Sequence, residues 1–264
     1  MSICIDNYIS DNIFIRNNIL YYNNSSNKDI KITNNNWHKY LGEYGWEKLH
    51  LNWIKRLNKS TRVKESIGYK RQNSSFGVID CGGSGDCFFS SIIESLNSER
   101  EVYDKYDVKM LRMLLADSIT EDKFKPMIEH YRILQDIGEF MDEWDPYKVT
   151  NVGEFKEELK KEGTNFLGDY IILQLFQELF SINIIILNST QYQIGQSIPA
   201  GLFKLYNTGI RYSKNNKTIL LSYEDEEHFR LIGNLQNSNM VTLFNDITLP
   251  TEIRNIIDED LIKH

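Results

Sequence analysis

Apolar residues recur at helical spacing in several blocks of the chain and crowd into short β-branched runs between them. Phe76-Gly77-Val78-Ile79 reads as a strand, Cys81 to Gly85 as a glycine-rich turn, and Asp86 to Asn97 as a helix. Asp107 is placed to cap a helix running to about Ile119. Further helices are expected over Lys123 to Ile137, Val152 to Lys161 and Gly168 to Ser181. The last leads straight into Ile182-Asn183-Ile184-Ile185-Ile186-Leu187, whose branched side chains predict a central strand. After Pro199 the pattern favours strands at Thr218 to Tyr223, His228 to Ile232 and Met240 to Phe244, and Pro250 suits the first position of a closing helix.

The first third differs. Asparagines crowd positions 7 to 36, which predicts loops or short strands, while Trp46, Leu49, Trp53, Ile54 and Leu57 predict a helix from Trp46 to Leu57. Residues 58 to 75 are polar and basic, with the character of a linker. This divides the chain into an N-terminal extension (1–75), a catalytic unit (76–245) and a C-terminal helix or tail (246–264). Helices first and strands later make an α+β packing the expected class.

Composition narrows the function. A net charge of −7 argues against a general nucleic-acid binder. The three cysteines, Cys4, Cys81 and Cys87, form no Cys-x-x-Cys pair, so neither a disulfide framework nor a zinc site is expected, and no cofactor is implied. Cysteine usage of this kind fits a reducing, cytoplasmic compartment. Polar residues break every apolar run, so no membrane span or signal segment is expected.

The chemistry concentrates in Asp80-Cys81-Gly82-Gly83-Ser84-Gly85-Asp86-Cys87-Phe88-Phe89. A cysteine at the first residues of a helix faces unpaired N–H groups and the positive end of the helix dipole, which favour thiolate and can hold an oxyanion. Against this stands the commoner role of cysteine as a small buried hydrophobe. A phosphate loop is disfavoured because no Gly-Lys-Ser/Thr ending follows. Cys81 precedes the turn and lies off the helix, so Cys87 is the better nucleophile. A base must come from His38, His50, His130, His228 or His264. His228 opens a strand after an acidic turn, a rigid platform, but spacing alone does not select it.

Gly85-Asp86-Cys87-Phe88-Phe89-Ser90-Ser91-Ile92 resembles the cysteine box of the ovarian-tumour (OTU) deubiquitinases, and Glu227-His228-Phe229-Arg230-Leu231-Ile232 resembles their histidine box. Asn165-Phe166-Leu167-Gly168-Asp169, with the helix and strand after it, is similar to the family's middle segment. The likeness covers about Phe76 to Gly233. It implies a papain-like OTU fold, a mostly antiparallel central sheet flanked by helices. It also implies hydrolysis of the isopeptide bond at the ubiquitin C-terminus through a thioester. Cys87 becomes the nucleophile and His228 the base, with amides of Gly85 and Asp86 as oxyanion donors and Ser84, Phe229 and Glu227 beside the substrate.

Two positions depart from the family's pattern. Ser84 replaces its loop aspartate. Arg230 stands where an Asp or Asn often orients the histidine, and arginine accepts no hydrogen bond. Some branches take that acceptor from upstream of the cysteine loop, which makes Asp80 the candidate and Asn183 a weaker second.

The partners implied are ubiquitin or polyubiquitin chains, or a ubiquitin-like modifier, with no nucleic acid, membrane or metal. Acidic runs at Asp142-Glu143-Trp144-Asp145 and Glu224 to Glu227 are candidates to meet the arginines of the ubiquitin tail. Core packing is the expected role of Trp37, Trp46 and Trp53, with a ubiquitin-binding surface as the alternative. The alternatives are a catalytically weak ubiquitin-binding module and a Cys-His hydrolase for another modifier. The heavy use of Asn, Ile, Lys and Tyr fits an AT-rich genome, and joined to the resemblance to a deubiquitinase it implies a large virus or intracellular parasite as source, with host cytosol or the virion as a location.

Overall fold

The structure, a computed structural model, describes residues 9–24, 28–60, 74–189, 205–206, 212–224 and 228–260. Three short strands come first: β1 (Ile13–Arg16), β2 (Ile19–Asn23) and β3 (Asp29–Lys31), an antiparallel sheet of their own. Then follow β4 (Trp46–Lys48), α1 (Leu51–Ser60), β5 (Phe76–Ile79) and α2 (Cys87–Asn97). The helices α3 (Val108–Ser118), α4 (Glu121–Asp136), α5 (Val152–Lys160) and α6 (Tyr170–Phe180) fill the middle. The rest is β6 (Ile182–Ser189), β7 (Leu205–Tyr206), β8 (Lys217–Glu224), β9 (His228–Gln236), β10 (Asn239–Val241), β11 (Leu243–Phe244) and α7 (Thr251–Asp260).

The main sheet runs β4-β5-β9-β8-β6-β7, with β10 added to β9 and β11 to β8. All its pairings are antiparallel except β6 with β8. The expected α+β class with a mostly antiparallel sheet is thus what the chain forms. Both faces of the sheet are covered, and the two-residue period of a strand divides the side chains between two cores. Ile182, Ile184 and Ile186 of β6 join Ile219, Leu221 and Leu231 on the face covered by α2 to α6. Ile185, Leu187, Leu220 and Ile232 point the other way, to Trp53 and Leu57 of α1 and Ile253, Ile256 and Ile257 of α7. Burial on both faces explains why the central strands read as unbroken apolar runs.

One expectation changes. Helical spacing from Trp46 to Leu57 predicted one helix, but Trp46–Lys48 is strand β4, pairing with β5, and the helix starts at Leu51. An open sheet edge beside β5 outweighs local periodicity there. Trp37, Trp46 and Trp53 are all at most 1% exposed, so these rings build the interior, the role favoured for them over a binding surface. Trp46 lies over Gly233 of β9, where an added Cβ would come within 2.6 Å of the ring. Residues 37–57 therefore share cores with the strands and helices that follow Phe76. No helix among the described residues is long and apolar enough to cross a membrane.

Candidate active site

Antiparallel pairing of Ile79 with Leu231 brings the end of β5 and the start of β9 to the same margin of the sheet. The residues there, Asp80 and His228, meet: Asp80 Oδ1 lies 3.3 Å from His228 Nε2. That nitrogen is shielded from solvent and not aligned as a hydrogen bond, so the contact is a close approach that becomes an ion pair when the imidazole takes up a proton. The same Asp80 oxygen accepts from the Gly82 N–H at 3.0 Å. Asp80 thus both closes a local turn and faces the histidine. Arg230 turns elsewhere, pairing with Glu47 at 2.7 Å. Asn183 is engaged away from this margin, donating to Ser213 O and Thr218 Oγ1 and accepting from Ser213 N.

Cys87 is the first residue of α2 and is 9% exposed. The helix forms there because Phe88, Phe89 and Ile92 are fully buried, each such side chain contributing about 1.5–3 kcal/mol. Phe88 meets Phe229 edge-on, with ring centroids 5.1 Å apart, which ties the helix start to β9. Burial pushes the Cys87 thiol above its ordinary value; the amides of Phe229, Phe88 and Cys87 itself oppose that rise, and the charge of Asp80 adds to it. A net preference for thiolate, expected from the helix position, is therefore not met at rest, because desolvation outweighs the amide dipoles. Cys81 is buried too, and burial drives its thiol to about 12, leaving it inert at neutral pH.

The loop before Cys87 is tightly constrained. Ser84 and Gly85 both have left-handed backbone, φ 61° and 90°. A Cβ on Gly85 would sit 2.4 Å from the Gly163 carbonyl carbon, so only glycine fits. Ser84 is exposed. The Asp86 N–H points to Gly83 O at 3.4 Å. The Asp86 carboxylate accepts from Arg112 Nε and Nη2 through Oδ1 and from the Gly163 N–H through Oδ2.

A groove of about 580 Å³ opens beside the thiol, walled by Gly85, Cys87, Leu167, Gly168, Tyr223 and Phe229. Glu227 lies outside the described residues. Asp142 is on the far wall. It accepts from Trp144 Nε1 at 2.9 Å and the Leu167 N–H at 3.2 Å, and burial raises its carboxyl to about 7. Within the run 142–145, Asp142 and Trp144 turn inward while Glu143 stays exposed. Trp144 is buried, its ring stacked on Phe166 at 5.4 Å.

A family model described as OTU-like cysteine protease matches residues 82–229, more than half of the chain. The chain belongs to the OTU-like cysteine protease family. The matched span starts in the glycine loop and ends at Phe229, so it holds Cys87, the groove and His228. Among solved structures, an OTU deubiquitinase from Wolbachia pipientis wMel bound to ubiquitin is similar over 61% of this chain and 96% of that chain, at 15% identity and a TM-score of 0.39. No curated protein matches the chain in sequence.

Arg112 escaped the reading of the sequence. A signal was present: Val108, Leu111, Leu115, Ala116 and Ile119 mark the apolar face of α3, and Arg112 falls on that face. An arginine there needs a buried partner, and Asp86 is that partner.

Proposed function

We propose that the protein is a thiol-dependent deubiquitinase of the OTU family, with Cys87 as nucleophile, His228 as base and Asp80 as the residue that orients the imidazole. The contact between Asp80 Oδ1 and His228 Nε2, at the sheet margin beside Cys87, carries the reading. With Nε2 facing the carboxylate, Nδ1 is the nitrogen left to take the thiol proton. Burial raises the Cys87 thiol, so the sulfur needs a base beside it to take its proton.

Sulfur adds to the carbonyl carbon of the scissile bond while its proton passes to His228. Amides of the loop at Gly85 and of Cys87 stabilise the oxyanion. As the intermediate collapses, the C–N bond breaks and His228 returns the proton to the departing lysine amine, leaving an acyl thioester on Cys87. Water, deprotonated by His228, then attacks the thioester and frees the carboxylate and the thiol.

Ubiquitin as substrate follows from family membership and from the shape of the groove. Glycines at 85 and 168 line it beside the thiol, which suits an extended tail ending in Gly-Gly. Glu139 on its wall supplies negative charge for the arginines of that tail. The reading of an inactive binding module was motivated by the missing acceptor after His228, and Asp80 supplies one.

Ubiquitin carrying a fluorogenic C-terminal amide tests this. The wild type should release the fluorophore, and Cys87→Ala and His228→Ala should each lose at least about a thousandfold. Release from a ubiquitin-like conjugate alone would replace the substrate and keep the chemistry. Full activity in Cys87→Ala would end the reading.

A further inference from the structure

Helices α3, α4, α5 and α6 each begin with a residue whose side chain accepts from a first-turn amide. Asp107 accepts from Met110, Thr120 from Lys123, Asn151 from Glu154, and Asp169 from Ile171 and Ile172. Helix α2 breaks the pattern. Its N-cap is Asp86, among the best capping residues, yet the side chain makes no cap bond. The carboxylate is drawn away by Arg112, whose Nε and Nη2 lie 3.1 and 2.5 Å from Oδ1. Arg112 has no exposed side-chain surface. Its Nη1 donates to Leu159 O at 3.1 Å, its Nη2 also to Phe166 O at 2.9 Å, and its guanidinium carbon lies 3.8 Å from the centre of the Phe89 ring. The guanidinium has no freedom to follow Asp86; Asp86 is held to it.

We propose that Arg112 is a positioning residue for the reaction: it holds the Asp86 carboxylate off the first turn of α2, so that the amides of that turn face the Cys87 sulfur. Two consequences favour catalysis. The Cys87 and Phe88 amides stay directed at the thiol, where they oppose the effect of burial. A full negative charge is also kept from settling over the helix N-terminus, where it would repel the thiolate and the oxyanion. Arg112 touches neither the sulfur nor the groove. It acts through Asp86, and through the Gly163 N–H that Asp86 also binds it holds the 163–166 segment against Gly85.

This rests on Cys87 being the nucleophile, but it can be tested without ubiquitin. The rate of carbamidomethylation of Cys87 by iodoacetamide, followed by mass of the Cys87 peptide against pH, reads the thiolate fraction. Arg112→Met frees the carboxylate to return to the cap, and the rate at pH 7 should fall about tenfold with the high-pH limit unchanged. Arg112→Lys keeps a cation without the fork and should fall at least about threefold; it decides the matter if the methionine variant does not fold. The double variant Arg112→Met/Asp86→Ala has no carboxylate to return and no unpaired buried charge, and its rate should lie within about twofold of wild type.

A purely structural role for Arg112 would lower the high-pH limit of the rate together with the rate at pH 7, rather than shift the profile and leave that limit unchanged. A lysine variant whose profile superimposes on wild type, or a double variant as slow as the single ones, overturns the proposal. If the wild type fails to cleave ubiquitin conjugates and these shifts still appear, the proposed substrate falls and the role of Arg112 stands.

Discussion

Asp80→Ala removes the carboxylate oxygen 3.3 Å from His228 Nε2 and with it the acceptor of the Gly82 N–H. Two charges at that separation attract by about 5 kcal/mol at an effective dielectric constant of 20 and about 1.3 kcal/mol in water. The Asp80 side chain is 58% exposed and that of His228 34%, so the watery limit is nearer, and about 1–2 kcal/mol is expected after screening. That is a five- to thirtyfold loss of rate, well below the loss on altering a buried triad aspartate. It should fall on kcat, since Asp80 does not line the groove. Asp80→Asn keeps an acceptor for Gly82 and for the imidazole but loses the charge, so it should lie between alanine and wild type. Steady-state cleavage of the fluorogenic ubiquitin amide measures both. Thermal unfolding should change by no more than a few degrees, because an exposed pair adds little stability. An alanine variant with wild-type kcat, or one whose whole loss is in KM, refutes the orienting role.

Gly85→Ala places a Cβ 2.4 Å from the Gly163 carbonyl carbon at φ 90°, and a displaced oxyanion loop should cost about 100-fold in kcat/KM; activity within threefold of wild type would show that the loop shifts freely. Asp142 gives a pH signature in stability: its carboxyl is raised from an ordinary 3.8 to about 7, so the fold favours the protonated form. The resulting stability is present below about pH 4 and lost as pH rises through about 7, at most about 4 kcal/mol in all. Asp142→Asn should flatten the dependence of Tm on pH and be the more stable protein at pH 8, and parallel curves for the two proteins would contradict the buried carboxyl.

The helices and central strands were legible because burial on one helix face or both strand faces leaves a period in the chain. Phe76–Ile79 is a strand as read, and Asp107 caps α3 as read. Where tertiary context outweighs period, the reading failed. Trp46 lies on a helical repeat with Leu49 and Trp53, yet it pairs with Ile79 because β5 offers an open edge. At the site, Cys87 and His228 stood out through the motif that surrounds each. Asp80 was harder, since nothing in a linear chain says that the end of β5 meets the start of β9. Arg112 was hardest, a buried cation whose partner lies 26 residues away. The thiol's net shift was illegible as well, because it is a balance between burial and amide dipoles.

The most direct test is covalent capture. Ubiquitin bearing a C-terminal electrophile, incubated with the protein at neutral pH, should yield a single adduct whose peptide map places the new bond on Cys87, and Cys87→Ala should yield none. An adduct on Cys81 or Cys4, or no adduct from a protein that still cleaves ubiquitin conjugates, would contradict the account.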